Sequence, residues 1–526
     1  MNPRSLLCVF IAGSILQAQA LDPKKLAQPP TDTWPTYNGD YSGQRFSTLS
    51  KINTENVKGL AFGWVYRTST ATGALGGVVK STPLMVQGVL YFTIPDHVFA
   101  IDARSGQEIW HYAWSSKGGW HLGNRGVGMY GNWIYVETPD CNLVALNSKD
   151  GTERWHKQIC DLDQYYTATV APVVIGNHII VGVSGDDLDI PGYLEARDPE
   201  TGDVQWRWSS VPKPGEPGSE TWPSAEAMEH GGGMTWVPST YDPNLKLLYL
   251  GTGNPQPVIA GKGRKGDNLY TESIVALHID TGKLAWYFQP SPHDTHDWDA
   301  VETPVLFDGE IDGRPRKLLA QASRNGFFFV LDRTTGKNVV TSEFVKTNWA
   351  KGVNSKGQPI PNPAKEPQVD GALVTPNQGG AANWPPPSFS PQTGLFYVNA
   401  SRSFSEYYIF DDTEKPEGWG GNDRGGGGQS MLQAIDYKTG KIRWSHKWEG
   451  PGARAGVLST AGDLVFTGDP LNNFVALDAR TGDALWHANV GAPVSNGPIT
   501  YELDGAQYVV VGAGDEIFGF LMPQSK

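Results

Sequence analysis

The stretch Val475-Ala476-Leu477-Asp478-Ala479-Arg480-Thr481-Gly482-Asp483-Ala484-Leu485-Trp486 carries the reading of the whole chain. An apolar run leads into Asp-x-x-Thr-Gly, a polar turn with glycine in the slot that requires a positive φ. A second run follows and closes on a large aromatic, so the segment reads as one β-hairpin. Near copies centre on Asp102–Trp110, Asn147–Trp155, Asp198–Trp206, His278–Trp286, Asp332–Val340 and Asp436–Trp444, which with Asp478–Trp486 makes seven. A lone hairpin cannot bury its apolar face, so units repeated in this way must pack on one another.

An eighth unit is split between the two ends of the chain. Gly63-Trp64-Val65-Tyr66-Arg67 has the composition of a strand but no partner hairpin upstream, while Tyr508–Val511 and Ile517–Leu521 are strand-like with no closing tryptophan. If the N-terminal strand completes the last unit, the ring shuts and no sheet edge is left open to aggregation. The expected fold is therefore all-β, an eight-bladed β-propeller of four-stranded meanders. Its indoles would wedge between blades with their N–H groups reaching backbone carbonyls. Four short strands need about 40–45 residues, so the two long gaps between closing positions hold inserts, read near 207–230 and 341–380. Residues 21–526 form one domain on this reading. A pair of β-sandwiches gives no reason for the repeated tryptophan.

The formal net charge of −13 argues against a nucleic-acid partner, whose phosphates would be repelled. Arg4, the apolar run Leu6–Ile15 and Ala18-Gln19-Ala20 read as a secretory signal over residues 1–20, and the periplasm is the expected destination. The apolar core is too short to span a bilayer, and no later stretch is long enough. Cys8 leaves with the signal. Pairing Leu146 with Trp155 would set Cys141 opposite Cys160 on adjacent strands, so a disulfide is expected in an oxidising compartment. There is no C-x-x-C-H motif and hence no covalently attached haem.

A propeller gathers inner strand ends at a central channel. Polar segments unlike turns fall at such positions: Gly123-Asn124-Arg125-Gly126, Ser184-Gly185-Asp186-Asp187, Gly231–Trp236, Gly251–Pro255, Pro292–Asp299, Arg324-Asn325-Gly326 and Gly379–Trp384. Buried carboxylates need a compensating cation, and Asp187, Asp297 and Asp299 with the Asn254 amide would form an oxygen-rich cage for a hard metal ion. His293 and His296 have no third histidine or cysteine at zinc-ligand spacing, so they are read as loop residues or as supports behind the oxygen ligands. The repeated-turn aspartates are structural. Gly425–Gly428 lacks the Lys-Ser/Thr of a phosphate loop and reads as a flexible loop near the channel mouth.

These segments, in this order on Trp-motif blades, resemble the pyrroloquinoline-quinone (PQQ) dependent alcohol dehydrogenases. The stretch Pro292–Asp299 followed by Arg324-Asn325-Gly326 is the most specific part of the likeness. The resemblance implies Asp297 as general base and Arg324 on the quinone carbonyls. It implies Trp236 as the floor beneath the flat cofactor, and Arg125, Thr169, Ser184, Gly185 and Asn383 as further cofactor contacts. It implies Asp187, Asn254, Asp297 and Asp299 around a Ca²⁺ or lanthanide ion, Asp299 occupying the position that marks lanthanide users. An alcohol substrate and a separate c-type cytochrome as electron acceptor follow from the same likeness. The chain departs from the pattern in several places. Gly119 and Trp120 stand where adjacent cysteines are usual, so Trp120 or His121 would cover the cofactor's other face instead, and Lys80 replaces a carboxylate. Arg454 replaces a tryptophan over the substrate pocket, and Met234 a hydroxyl residue. Two other readings are a non-catalytic scaffold propeller of the outer-membrane assembly type and a PQQ-dependent sugar or polyol dehydrogenase.

Overall fold

The computed structural model describes residues 21–69, 77–118, 123–185, 189–410, 418–452 and 455–523. The signal segment, Trp120, His121, Asp187 and Arg454 lie outside the described residues. Among them, strands assemble into eight sheets of four or five strands and one two-stranded ribbon, an all-β propeller arrangement. The first complete sheet, Leu84–Val86, Val89–Ile94, His97–Asp102 and Glu108–Ala113, sets the pattern. Val89–Ile94 is buried along its whole length, because neighbouring sheets cover both of its faces, whereas Glu108–Ala113 exposes part of its outer face.

The repeated turn does the work its sequence implies. Asp102 accepts from the backbone N–H groups of Arg104 (2.9 Å) and Ser105 (3.0 Å), and Asp478 does the same for Arg480 (2.7 Å) and Thr481 (3.0 Å). Gly282 has φ 67°, and a Cβ there would lie 2.5 Å from the Trp206 ring of the preceding sheet. Gly106, Gly151, Gly202, Gly336 and Gly482 are sockets for the preceding indole in the same way, and Gly440 meets Val340, which stands in the indole's slot. Four of the indole N–H groups reach carbonyls across the junction, Trp110 to Ser148 (3.0 Å), Trp206 to Ile279 (2.7 Å), Trp286 to Arg333 (3.0 Å) and Trp444 to Ala479 (3.1 Å), whereas those of Trp64 and Trp155 are buried and make no hydrogen bond among the described residues.

The N-terminal strand Ala61–Arg67 pairs antiparallel with Glu516–Leu521 and completes the sheet of Ile499–Leu503 and Ala506–Ala513. Trp486 of the preceding sheet donates to Leu60 O at 3.0 Å, the same wedge contact made across the chain ends.

Two readings need correction. Cys141 and Cys160 do form a disulfide, but not as a facing ladder pair. A bulge between Glu153 and Trp155 shifts the register to Ala145↔Trp155, and the ladder ends at Asn142↔Gln158. Cys141 carries its carbonyl to Ile159 N (2.8 Å) in a left-handed conformation (φ 71°), which swings its sulfur to Cys160 instead. Gly425–Gly428 is not a loop. It lies inside the strand Gly421–Asp436, paired with Leu395–Ile409, where Gly426 faces Phe404. A Cβ on Gly426 would meet the Phe404 ring at 2.3 Å, so the missing side chain makes room for that ring. This long hairpin also takes the strand Ala372–Val374 from the second insert, while the first insert holds the short helix Ala225–His230 capped by Ser224.

Candidate active site

Loops at one end of successive sheets bring the predicted segments around a cavity of about 480 Å³. Asp297 and Asp299 precede the strand Val305–Ile311, Asn254 follows Leu247–Gly251, and Arg324 follows Arg314–Ala322 in a tight turn closed by Gly326 N donating to Ser323 O (3.0 Å). Trp236, Asp297, Asp299, Arg324, Asn383 and Ser184 all line the cavity.

Asp299 is the hub. Fully buried, it accepts at Oδ1 from Asn254 N (2.7 Å) and at Oδ2 from Trp236 Nε1 (2.8 Å), with Arg324 Nη1 at 3.1 Å from the same oxygen. Asp297 sits on a left-handed backbone (φ 62°) and accepts from Gln378 Nε2 at 2.8 Å, with Arg324 Nη2 3.6 Å away. Arg324 Nη2 donates in turn to Gln378 O (3.1 Å). Burial opposes the charge on Arg324, but Asp297 and Asp299, with Glu302 and Glu272 beyond, outweigh it and raise the guanidinium's pKa.

The other cofactor candidates form a second group. Arg125 Nη1 donates to Thr169 Oγ1 (2.5 Å) and to Thr169 O (3.2 Å), and Thr169 Oγ1 is 2.9 Å from Ser184 Oγ. The Arg125 guanidinium lies over the Trp236 ring at 4.6 Å and over the Trp384 ring at 5.0 Å. The indole expected as a bare floor thus carries a planar cation in this structure. Gly185 (φ 123°) lies beside Tyr165 O, where a Cβ would come within 2.8 Å. Asn383 turns its amide into its own loop, with Nδ2 donating to Gly379 O (2.9 Å) and Oδ1 accepting from Trp384 N (2.8 Å).

The donor set suits a hard cation and an anionic ring. Asn254 Oδ1 is buried and makes no hydrogen bond, although its Nδ2 donates to Pro255 O at 3.2 Å. Among the described residues no three His, Cys, Asp or Glu side chains cluster at metal-ligand distance. The Asp299 oxygens are engaged by the three donors above. His293 bonds Gly266 O through Nδ1 (2.7 Å), and burial pushes its imidazole down to about 4. His296 stacks on Trp298 at 4.3 Å. Both histidines are loop residues, as their spacing suggests.

Sequence reasoning missed Gln378, Glu272 and Glu302, and placed Trp384 in a candidate segment without giving it a role. Glu272 and Glu302 are fully buried, and burial raises both pKa values well above the carboxylate range. Gln378 was legible only as the neighbour of Gly379–Trp384.

Residues 34–370 and 428–509 match the PQQ family described as glucose/ethanol/alcohol dehydrogenase, beta-propeller domain. The quinohemoprotein alcohol dehydrogenase of Comamonas testosteroni is 38% identical over 525 residues, covering 92% of this chain and 73% of the relative. The crystal structure of that enzyme superposes with a TM-score of 0.89 over 97% of this chain and 84% of its own, at 34% identity. A europium-containing methanol dehydrogenase superposes at 0.88 over 95% and 99%, at 30% identity. This chain belongs to the PQQ-dependent alcohol dehydrogenase family, a family of oxidoreductases. Residues 371–427, which include Gln378, Asn383 and Trp384, lie outside the family match. No helix among the described residues is long and apolar enough to cross a membrane.

Proposed function

We propose that this protein oxidises an alcohol in the periplasm with PQQ and a Ca²⁺ or lanthanide ion, passing electrons to a separate c-type cytochrome. Residues 1–20 direct export, and the eight sheets are eight blades of one closed ring spanning 21–526. The pairing of Ala61–Arg67 with Glu516–Leu521 supports that closure. The observation that carries the functional reading is the convergence of Trp236, Asp297, Asp299 and Arg324 on one cavity of about 480 Å³.

Bound PQQ beside a polarising cation supplies the two-electron redox chemistry. The chain's own residues do the rest. Asp297 takes the substrate hydroxyl proton, with Gln378 orienting its Oδ2 and Arg324 favouring the ionised form. Arg324 and Arg125 provide charge-assisted donors for an anionic, carbonyl-bearing ring. Asn254 Oδ1, Asp297, Asp299 and Asp187 are the ligands assigned to the cation, and Thr169, Ser184, Gly185, Trp236 and Asn383 border the ring. Asn377 and Ser401 on the cavity wall also favour a substrate with a further hydroxyl group, such as a polyol.

The test is reconstitution. Purified protein given PQQ with Ca²⁺ or La³⁺ should retain quinone absorbance and reduce a dye when supplied with an alcohol or polyol. Absence of cofactor retention under both ions would refute the proposal. Metal analysis of protein produced with PQQ and both ions identifies the cation.

A further inference from the structure

We propose that Trp384 is the second plate of the cofactor slot, so that the ring of PQQ lies between the Trp236 and Trp384 indoles. This inference rests on the PQQ reading above and adds to it a residue outside the family match. The Arg125 guanidinium lies over both rings, 4.6 Å from one centre and 5.0 Å from the other. The two centres are therefore no farther apart than those distances together. A guanidinium is flat and as thin as an aromatic ring, and ring stacking holds centroids about 4.5–7 Å apart. One planar group already packs on both indoles, so the two rings are close enough for a flat quinone in its place to contact both. Both indoles also border the cavity that holds Asp297 and Arg324, so a ring in that place would reach the reacting groups.

Trp384 is held firmly enough to act as a plate. Its loop is tied to Arg324 by Ala381 N donating to Arg324 O (2.8 Å), and Gly380 packs so closely that a Cβ would come within 2.6 Å of the Arg324 Cβ. Three prolines follow, Pro385 to Pro387, which fix φ, and Pro386 O accepts from Val457 N at 2.8 Å. The sequence contains only Cys8, Cys141 and Cys160, so no pair of adjacent cysteines is available to cover the ring's other face. On this account Arg125 holds the gap in the cofactor-free protein. On binding it withdraws to pair with a carboxylate of the ligand.

The experiment measures PQQ affinity, in the presence of Ca²⁺ or La³⁺, by equilibrium dialysis and tryptophan quenching. Wild type, Trp384→Phe, Trp384→Leu and Trp120→Leu are compared, with the melting temperature of each cofactor-free protein as the control for folding. Loss of stacking on one aromatic face should make Trp384→Leu bind about 5- to 150-fold more weakly, while Trp384→Phe stays near wild type. Leucine keeps apolar bulk without a ring, so the Phe/Leu contrast reads stacking. Equal affinity in Trp384→Leu overturns the inference, and so does a loss found in Trp120→Leu instead. A wild-type protein that binds no PQQ under either ion overturns the proposed function, and this inference with it.

Discussion

Replacing Asp299 tests the hub on which the site is built. Asp299→Ala removes the acceptor for two buried N–H groups, Trp236 Nε1 and Asn254 N, and one of the two carboxylates beside Arg324. A buried donor left unsatisfied costs about 1–3 kcal/mol, and breaking a buried ion pair about 3–5 kcal/mol. Asp297 at 3.6 Å and Gln378 O at 3.1 Å still face Arg324 and retain part of the latter term. The loss should therefore total about 4–6 kcal/mol, against about 1–3 kcal/mol for Asp299→Asn, which keeps one acceptor oxygen. At about 2.1 cal/mol/K per residue, a chain of this size loses about 1 °C of Tm per kcal/mol. Calorimetry of chelator-treated, cofactor-free protein should then show Tm falling by about 4–6 °C in the alanine variant. The asparagine variant should fall by roughly half that or less. An alanine variant melting within about 1 °C of wild type without metal would refute the hub. Asp299 would then matter only as a ligand for an ion.

Burial raises Asp40 to about 6, from an ordinary 3.8, while its Oδ1 accepts from Ser42 N and Oγ. The native state thus binds more protons than the unfolded state between those values, and stability falls as pH rises through that window. Asp40→Asn keeps the acceptor, so it should gain up to about 3 kcal/mol at neutral pH and lose that gain near pH 4, as read by denaturant titration. Gly282→Ala meets both a φ of 67° and the Trp206 ring, whereas Gly176→Ala meets a φ of 58° and open space. The first should cost about 2–4 kcal/mol and the second about 1 kcal/mol, so equal losses in thermal melts would remove the socket argument. Replacing Cys141 and Cys160 by serine opens a loop with a sequence separation of 19 and should cost about 3 kcal/mol, measured by denaturant titration against the oxidised protein. In reconstituted protein, Asp297→Asn should lower dye reduction by about 10²–10⁴-fold while quinone absorbance is still retained. Full activity would show that another group takes the proton.

The fold was legible because its signal is local and repeated. The turn aspartate, the glycine and the closing tryptophan each have one stereochemical job, and periodic spacing makes the jobs visible together. The Cys141–Cys160 register was misread because a bulge at Glu153 and Trp155 adds a residue that alternation alone does not reveal. The run Gly425–Gly428 looked like a loop because glycine is ambiguous until a partner such as Phe404 is known to lie across it. At the site, Asp297, Asp299, Asn254, Trp236 and Arg324 were found through their motifs. Glu272 and Glu302 carry no local mark of burial, and only the packing of distant segments encloses them. Arg125 was anticipated as a cofactor contact, but its packing on a second indole follows from where Trp384 falls, far along the chain.

Joining Ala61–Arg67 to Glu516–Leu521 has a consequence for biogenesis. The strand Ala61–Arg67 must wait, unmatched, until Glu516–Leu521 has been synthesised. Any stop ahead of Glu516 leaves it with one unclaimed ladder of amides, which chaperones or proteases can recognise as a mark of an unfinished fold.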